Sequence, residues 1–320
     1  MSESARVRRI GAAQLAEVYL DRAATVAKDC DYIRRAGDLG LDLLVFPEYH
    51  VPASPKWFRH DPDLTFEEYY RRLLDEAVTP SSPAVDRLSE AAADAECAVV
   101  VGVNWKETPG AGTLYNAQLY LDADGSVLGV RRKLVPTLYE RLVHAGGSGA
   151  DVRVFDSSVG TLGGLLCGEH LNHLLAFALL AQGQELHAAS WPRYVGYDRE
   201  ALDRLIGVRT RFHAEAAKAP TALAMGTVTD DLADAIGKPS LSEGPSLSAV
   251  VGPTGEYLAG PKFDGEGIVH AEVDLADRAL EHSHHDLAGH YNRFDVFDLH
   301  VDREARTPVT FEGEGPDDRR

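Results

Sequence analysis

Short apolar runs of buried-strand length alternate along this chain with segments of helical spacing, and two of the runs are doubled into tight hairpins. "LDLLVF" (41–46), ended by Pro47, and "CAVVVGVN" (97–104) are apolar throughout, as strands covered on both faces are. The stretch 21–40 before the first of them has helical spacing, with Asp21 placed to cap its start and Gly40 to close it. Two further helical segments occupy 66–78 and 83–95. "TLYNAQLYLDADGSVLGVRRK" (113–133) folds back at Asp124–Gly125, and "SLSAVVGPTGEYLAG" (246–260) at Pro253–Gly255. Strand–helix alternation alone gives a parallel sheet; hairpins interspersed with it give a mixed one. The fold class is therefore a layered α/β structure with mixed sheets.

The remaining segments extend the pattern. "RVRRIGAAQL" (6–15) reads as a first strand, and a buried strand runs into Cys167. A helix over 171–182 precedes the strand "ELHAAS" (185–190). A long helix over 198–217 precedes "PTALAMGTV" (220–228). No proline-rich or glycine/serine linker interrupts the chain, so 1–303 reads as one domain. Residues 304–320, ending "EGEGPDDRR", have the composition of a disordered tail.

Charge and cysteine usage exclude several classes. Fifty acidic residues against 32 basic ones leave a net charge of −18, unsuited to nucleic acid or anionic membrane. "LLAFALLA" is far too short to span a bilayer. Cys30, Cys97 and Cys167 lie far apart with no CxxC pair. That argues against a disulfide scaffold or a zinc ribbon and suits a reducing cytoplasm. Cys30 falls inside a helix and Cys97 opens a strand, as core residues do. Cys167 has two readings: a small apolar core residue, or a nucleophile at a helix N-terminus, where the dipole favours thiolate.

Two further strand ends carry chemistry. "VFPEYHVP" places Glu48 directly after one strand, and "VRRKLVPTLYER" places Lys133 at the end of another. Singly, each reads as a solvated charge. Together, a carboxylate, an ammonium and a thiol at three strand ends suggest a site, because active sites of layered α/β proteins form there.

These contexts resemble the nitrilase superfamily of carbon–nitrogen hydrolases: a Glu in "FPE", a Lys in "RK…P", and a Cys followed by one residue and an acid. "RKLVPTLYER", "GPTGEYLAGP" and "AGHYNRFDVF" are similar to segments of the branch that acts on nitriles, and the likeness runs from about Arg6 to Arg303. The resemblance implies a four-layer α-β-β-α sandwich. It implies hydrolysis of a small-molecule nitrile to acid and ammonia, with Cys167 as nucleophile, Glu48 as general base and Lys133 stabilising negative charge. Amide or carbamoyl hydrolysis and cyanide hydration are the alternatives within the superfamily; a catalytically inactive binding protein is the alternative outside it. A second Glu seven residues after the Lys, here Glu140, is implied to orient Lys133; on its own it reads equally as a salt-bridge partner of Arg141 or another surface group. The Gly168 N–H is expected to be a second donor for the developing anion. Glu169 is either substrate-facing or a first-turn acid, and Asn116, Trp191 and Pro192 are expected to line the pocket.

The resemblance implies no cofactor and no metal, and the histidine-rich "HSHHD" (282–286) is only a compositional hint of one. Two departures stand out. The branch commonly has Trp where this chain has Gly168, and a "WGxGDG" stretch where it has "HAGGSG" (144–149), so His144 replaces a second indole. Finally, the resemblance implies a homodimer or larger homo-oligomer, extended in some members into spiral filaments. "LNHLLAFALLAQG" (171–183), apolar on more than one face, agrees with a covered surface or with a wholly internal helix.

Overall fold

The computed structural model describes residues 6–305; most of the expected tail, 306–320, lies outside them. One sheet contains β1 (Val7–Gln14), β2 (Leu43–Val45), β3 (Ala98–Trp105), β4 (Leu114–Leu121), β5 (Val127–Arg132), β6 (His144–Ala145) and β13 (Gly267–Asp274). Its order is β13-β1-β2-β3-β4-β5, with β6 added to β4. β1, β2 and β3 are parallel, and β13 and β4 run against them. The second sheet contains β7 (Phe155–Ser157), β8 (Gly160–Leu166), β9 (Leu186–Trp191), β10 (Thr221–Met225), β11 (Ser248–Val251) and β12 (Tyr257–Lys262), in the order β12-β11-β10-β9-β8-β7. Here β8, β9 and β10 form the parallel centre.

Side-chain alternation builds four layers from these two sheets. Leu43, Val45, Ala98 and Val100 face Leu162, Ala188, Ala222 and Ala224 in a core between the sheets. Their neighbours Leu44, Phe46, Val99 and Val101 face outward, beneath α1 (Arg22–Asp38) and α3 (Pro83–Ala95), while α2 (Phe66–Asp75) packs Tyr69 and Leu73 against Trp57 and Leu114. On the second sheet, Ala189, Leu223 and Met225 face outward. That side is covered by α4 (His173–Leu180), by α5 (Arg199–Leu202), which continues through a π-helical turn (Asp203–Gly207), and by α6 (Val208–Ala217). α7 (Asp230–Ala235) and α8 (Asp277–His284) complete the helices named here. The architecture is the α-β-β-α sandwich expected, and the long helix expected over 198–217 is broken by the π turn.

Local signals behave as read. The Asp21 side chain accepts from the Ala24 N–H at 2.8 Å and starts α1. One expectation changes: Cys167 does not open an α-helix. Cys167–Leu171 is a short 3-10 turn, and α4 starts only at His173 behind its own cap, Asn172. The dipole of α4 therefore does not act directly on the sulfur.

Candidate active site

Each sheet contributes from the same end of its strands. Glu48 follows β2, Lys133 follows β5 and Cys167 follows β8. The loop carrying Glu48 crosses directly over β3. A Cβ on Gly102 would come within 2.0 Å of the Pro47 carbonyl oxygen, so only glycine permits that path. Beneath it the sheets are joined by hydrogen bonds: Gln118 Nε2 donates to the Ala188 carbonyl at 3.1 Å, and Ser190 Oγ to the Phe46 carbonyl at 2.9 Å.

Lys133 is fully buried between two carboxylates. Its Nζ lies 2.8 Å from Glu48 Oε1 and 2.8 and 3.0 Å from the two oxygens of Glu140. Asn116 Nδ2 donates to the same Glu48 oxygen at 2.7 Å, and Glu48 Oε2 has no partner among the described residues. Glu140 is thus a buried partner of Lys133, while Arg141 Nε turns to the Pro136 carbonyl. Burial pushes the Glu48 carboxyl up to about 7, with Lys133 pulling the other way and Glu140 adding to the rise. Burial alone lowers Lys133, but Glu48, Cys167 and Glu140 outweigh it and hold the ammonium well above the usual lysine range.

Cys167 takes up a left-handed backbone conformation (φ 50°), as does Tyr49 (φ 60°) directly after Glu48. Such strain in non-glycine residues gathers at functional sites. The sulfur lies 3.0 Å from the Tyr194 hydroxyl. Burial and the Glu48 charge push the thiol up to about 11, against Lys133, Lys56 and the tyrosine. This is the reverse of a dipole-activated thiolate: the resting sulfur carries its proton and needs a base.

Cys167 and Glu140 line a cavity of about 280 Å³, with walls from Lys56, Trp57, Thr137, Leu138, Tyr139, Arg193 and Tyr194. A larger groove of about 410 Å³ around Trp105 and Arg153 holds none of the three chemistry-bearing side chains.

Several expected pocket residues sit elsewhere. Glu169 is buried against Arg131 (2.8 and 3.0 Å) and also accepts from the Leu134 and Leu166 N–H groups, so both its oxygens are occupied. Trp191 is fully buried, its Nε1 donating to Thr210 Oγ1 at 3.2 Å, and Pro192 is buried beside it; the cavity wall begins at Arg193. His144 packs against the Tyr49 ring and meets Asn104 Oδ1 at 2.8 Å, behind the cavity. Asn116 reaches Glu48 and not the cavity wall. Gly168 is not part of the wall either, but a Cβ there would meet Thr137 Oγ1, which is, at 3.5 Å.

Sequence reading missed Lys56, Trp57 and Tyr194. Trp57 is held by Glu17, whose Oε1 accepts its Nε1–H at 2.6 Å. The available signal was "SPKWFR" (54–59), soon after Glu48, with Ser54 and Pro55 starting the 3-10 turn that carries Lys56 over the site.

A sequence profile of the carbon-nitrogen hydrolase family matches residues 9–280. The chain belongs to that family. Within this carbon–nitrogen hydrolase family its sequence relatives include nitrilases. It is 35% identical to Nitrilase 3 of an unknown prokaryotic organism, over 98% of both chains. It is 33% identical to an aliphatic nitrilase of Rhodococcus rhodochrous, over 97% of this chain and 86% of that one. Among solved structures, the NitFhit protein of C. elegans has the same fold. Its TM-score is 0.73 at 17% identity, covering 94% of this chain and 69% of that one. A carbon-nitrogen hydrolase of Helicobacter pylori G27 superposes with a TM-score of 0.66 at 21% identity, covering 87% of this chain and 93% of that one.

Proposed function

We propose that this hydrolase converts an organic nitrile to the carboxylic acid and ammonia through a covalent adduct on Cys167. The observation that carries the reading is Lys133, buried between Glu48 and Glu140 and sharing one electrostatic field with the Cys167 thiol. Nitriles are favoured over amides because relatives of 30–35% identity over nearly the whole chain are named nitrilases.

Glu48, through its unpartnered Oε2, takes the thiol proton as sulfur attacks the nitrile carbon. The nitrogen gains negative character and is protonated, giving a thioimidate. Lys133 and the Gly168 N–H stabilise that charge and, after Glu48 activates a water, the oxyanion of the tetrahedral intermediate; one such preorganised donor is worth about 3 kcal/mol. Ammonia leaves, a second water hydrolyses the thioester, and the thiol is regenerated. Glu140 keeps Lys133 charged and aimed. Three unpaired cysteines suit a reducing cytoplasm. The working unit is a homodimer or larger homo-oligomer.

The test is ammonia release from aliphatic nitriles, aryl nitriles, arylacetonitriles and cyanide beside the matching amides, with Cys167→Ala as control. Turnover of nitriles by wild type and none by Cys167→Ala is expected. Hydrolysis of amides alone would overturn the substrate class, and turnover by Cys167→Ala the nucleophile.

A further inference from the structure

The cavity above Cys167 is basic, in a chain of net charge −18. Lys56, Arg59, His60 and Arg193 all line it, and its one acid, Glu140, gives both oxygens to Lys133. These basic side chains differ in what they have left to offer, and burial with Lys238 and Arg59 nearby lowers the His60 pKa and favours its neutral ring. Arg59 lies over the Tyr139 ring, 4.1 Å from its centroid, and His60 faces Lys238 at 3.4 Å. Arg193 is spent on the carbonyls of Tyr194, Glu243, Gly244 and Pro245, although its buried Nε has no partner.

Lys56 is the cation available to a ligand. Its Nζ lies 4.5 Å above the centre of the Tyr194 ring and makes no ion pair among the described residues. Burial lowers its pKa, with Cys167, Glu48 and Glu140 opposing through space alone. A half-buried ammonium, short of part of its water and with no carboxylate beside it, is completed by a bound anion. The Tyr194 hydroxyl touches the sulfur, so about one phenol ring separates Lys56 from Cys167. A short spacer between a nitrile carbon and an anionic group covers that gap.

We infer that the substrates of this site are nitriles bearing a carboxylate on a short spacer, with Lys56 as the residue that binds the carboxylate. This deepens, and rests on, the nitrile-hydrolysing reading. Glu48, Lys133 and Glu140 act at the nitrile end, and Lys56 selects the far end. The cationic wall also explains why so acidic a chain does not repel an anionic substrate: the local field at the cavity, and not the net charge, governs entry.

The competing role for Lys56 is to tune the Cys167 thiol, whose pKa it lowers. Isosteric pairs separate the two. Ammonia release is measured from 3-cyanopropanoate and 4-cyanobutanoate beside their uncharged isosteres 4-methylpentanenitrile and 5-methylhexanenitrile, and from the corresponding amides. Wild type should favour the charged member of at least one pair by about tenfold in kcat/KM, the scale of one hydrogen bond between charged groups, and added salt should erode the preference. Lys56→Met should collapse that ratio, mainly through KM, and Lys56→Arg should keep most of it. An equal or reversed preference in wild type overturns the inference. So does a ratio that Lys56→Met leaves unchanged because both members fall together, which makes Lys56 a partner of the sulfur. Amide turnover without nitrile turnover sinks the nitrile reading, and the charge preference is then scored on the amides. Protection of Cys167 from iodoacetamide needs no turnover at all. Glutarate should protect wild type better than hexanoate does, and Lys56→Met should remove the difference; equal protection in wild type counts against the site.

Discussion

Glu48, the proposed base, is expected to set the pH response. Its carboxyl is raised to about 7, and it acts as a base only when ionised, so activity should fall as pH drops through that value. The apparent pKa belongs to the Glu48–Lys133–Glu140 cluster as a unit. A kcat/KM profile between pH 5 and 9 checks this: a rise centred near 7 is expected, and a flat profile would exclude Glu48 as the base. Glu140→Gln should fold and lose most of its activity, because Lys133 loses one of the two charges that hold it. Near wild-type rates would reduce Glu140 to a structural ion-pair partner. Glu48 and Lys133 were legible from sequence because their strand-end contexts are local, whereas a role for Glu140 came only from the family resemblance. Lys56 was not legible, since a lysine in a polar loop has the same local signature whether it faces water or a cavity. Of the two readings of Cys167, the dipole-favoured thiolate fails for a related reason: it depends on where the helix starts, and α4 begins only at His173, six residues beyond Cys167.

At the level of elements, the Arg131–Glu169 pair fastens β5 to the turn carrying Cys167. Both side chains are buried, so removing one partner strands the other charge. Glu169→Gln should therefore cost about 3–5 kcal/mol of stability, read by denaturant unfolding. A raised KM with unaltered stability would restore Glu169 to the substrate. Gly168 lies in the same turn. Gly168→Trp should be accepted, because its Cβ meets Thr137 at ordinary contact distance, and the ring should shift the ratio of large to small nitriles turned over. An unchanged substrate profile would show that the ring points away from the cavity. The strands were read according to their burial. β2 and β3 are covered on both faces and stand out as apolar runs. β13 was not assigned at all, because this partly exposed edge strand interleaves His270 and Glu272 with its apolar residues and so looks like surface. The β9 exit was recognised, but the substrate wall was placed on Trp191 and Pro192. Alternation turns Trp191 into the packing between β9 and α5, and the next loop residues face the cavity.

For the whole molecule, the proposed assembly draws on what the single chain leaves uncovered. α4 is not wholly internal: Leu175, Ala178 and Leu179 pack inward, while Leu174 is 67% exposed. Leu171 beside it is exposed, as are Val208 and Phe212 of α6, and the His173 and Phe212 rings meet edge to face on that surface. The C-terminal segment adds Tyr291, Phe294, Val296 and Phe297, all exposed. Scattered apolar residues need no explanation, but a helix pair and a terminal segment that present them together form a patch suited to a second copy of the chain. α4, which carries part of this patch, begins six residues after Cys167. Pairing here would brace the backbone around Cys167, which has a φ of 50°. Light scattering on active protein should therefore show a dimer or larger species of the 34.7 kDa chain. Leu174→Glu combined with Phe212→Glu should shift it towards monomer and lower turnover together, with circular dichroism confirming that the fold survives. A sharp, fully active wild-type monomer would overturn the coupling. A folded monomeric double variant with full activity would leave assembly intact but remove its link to Cys167.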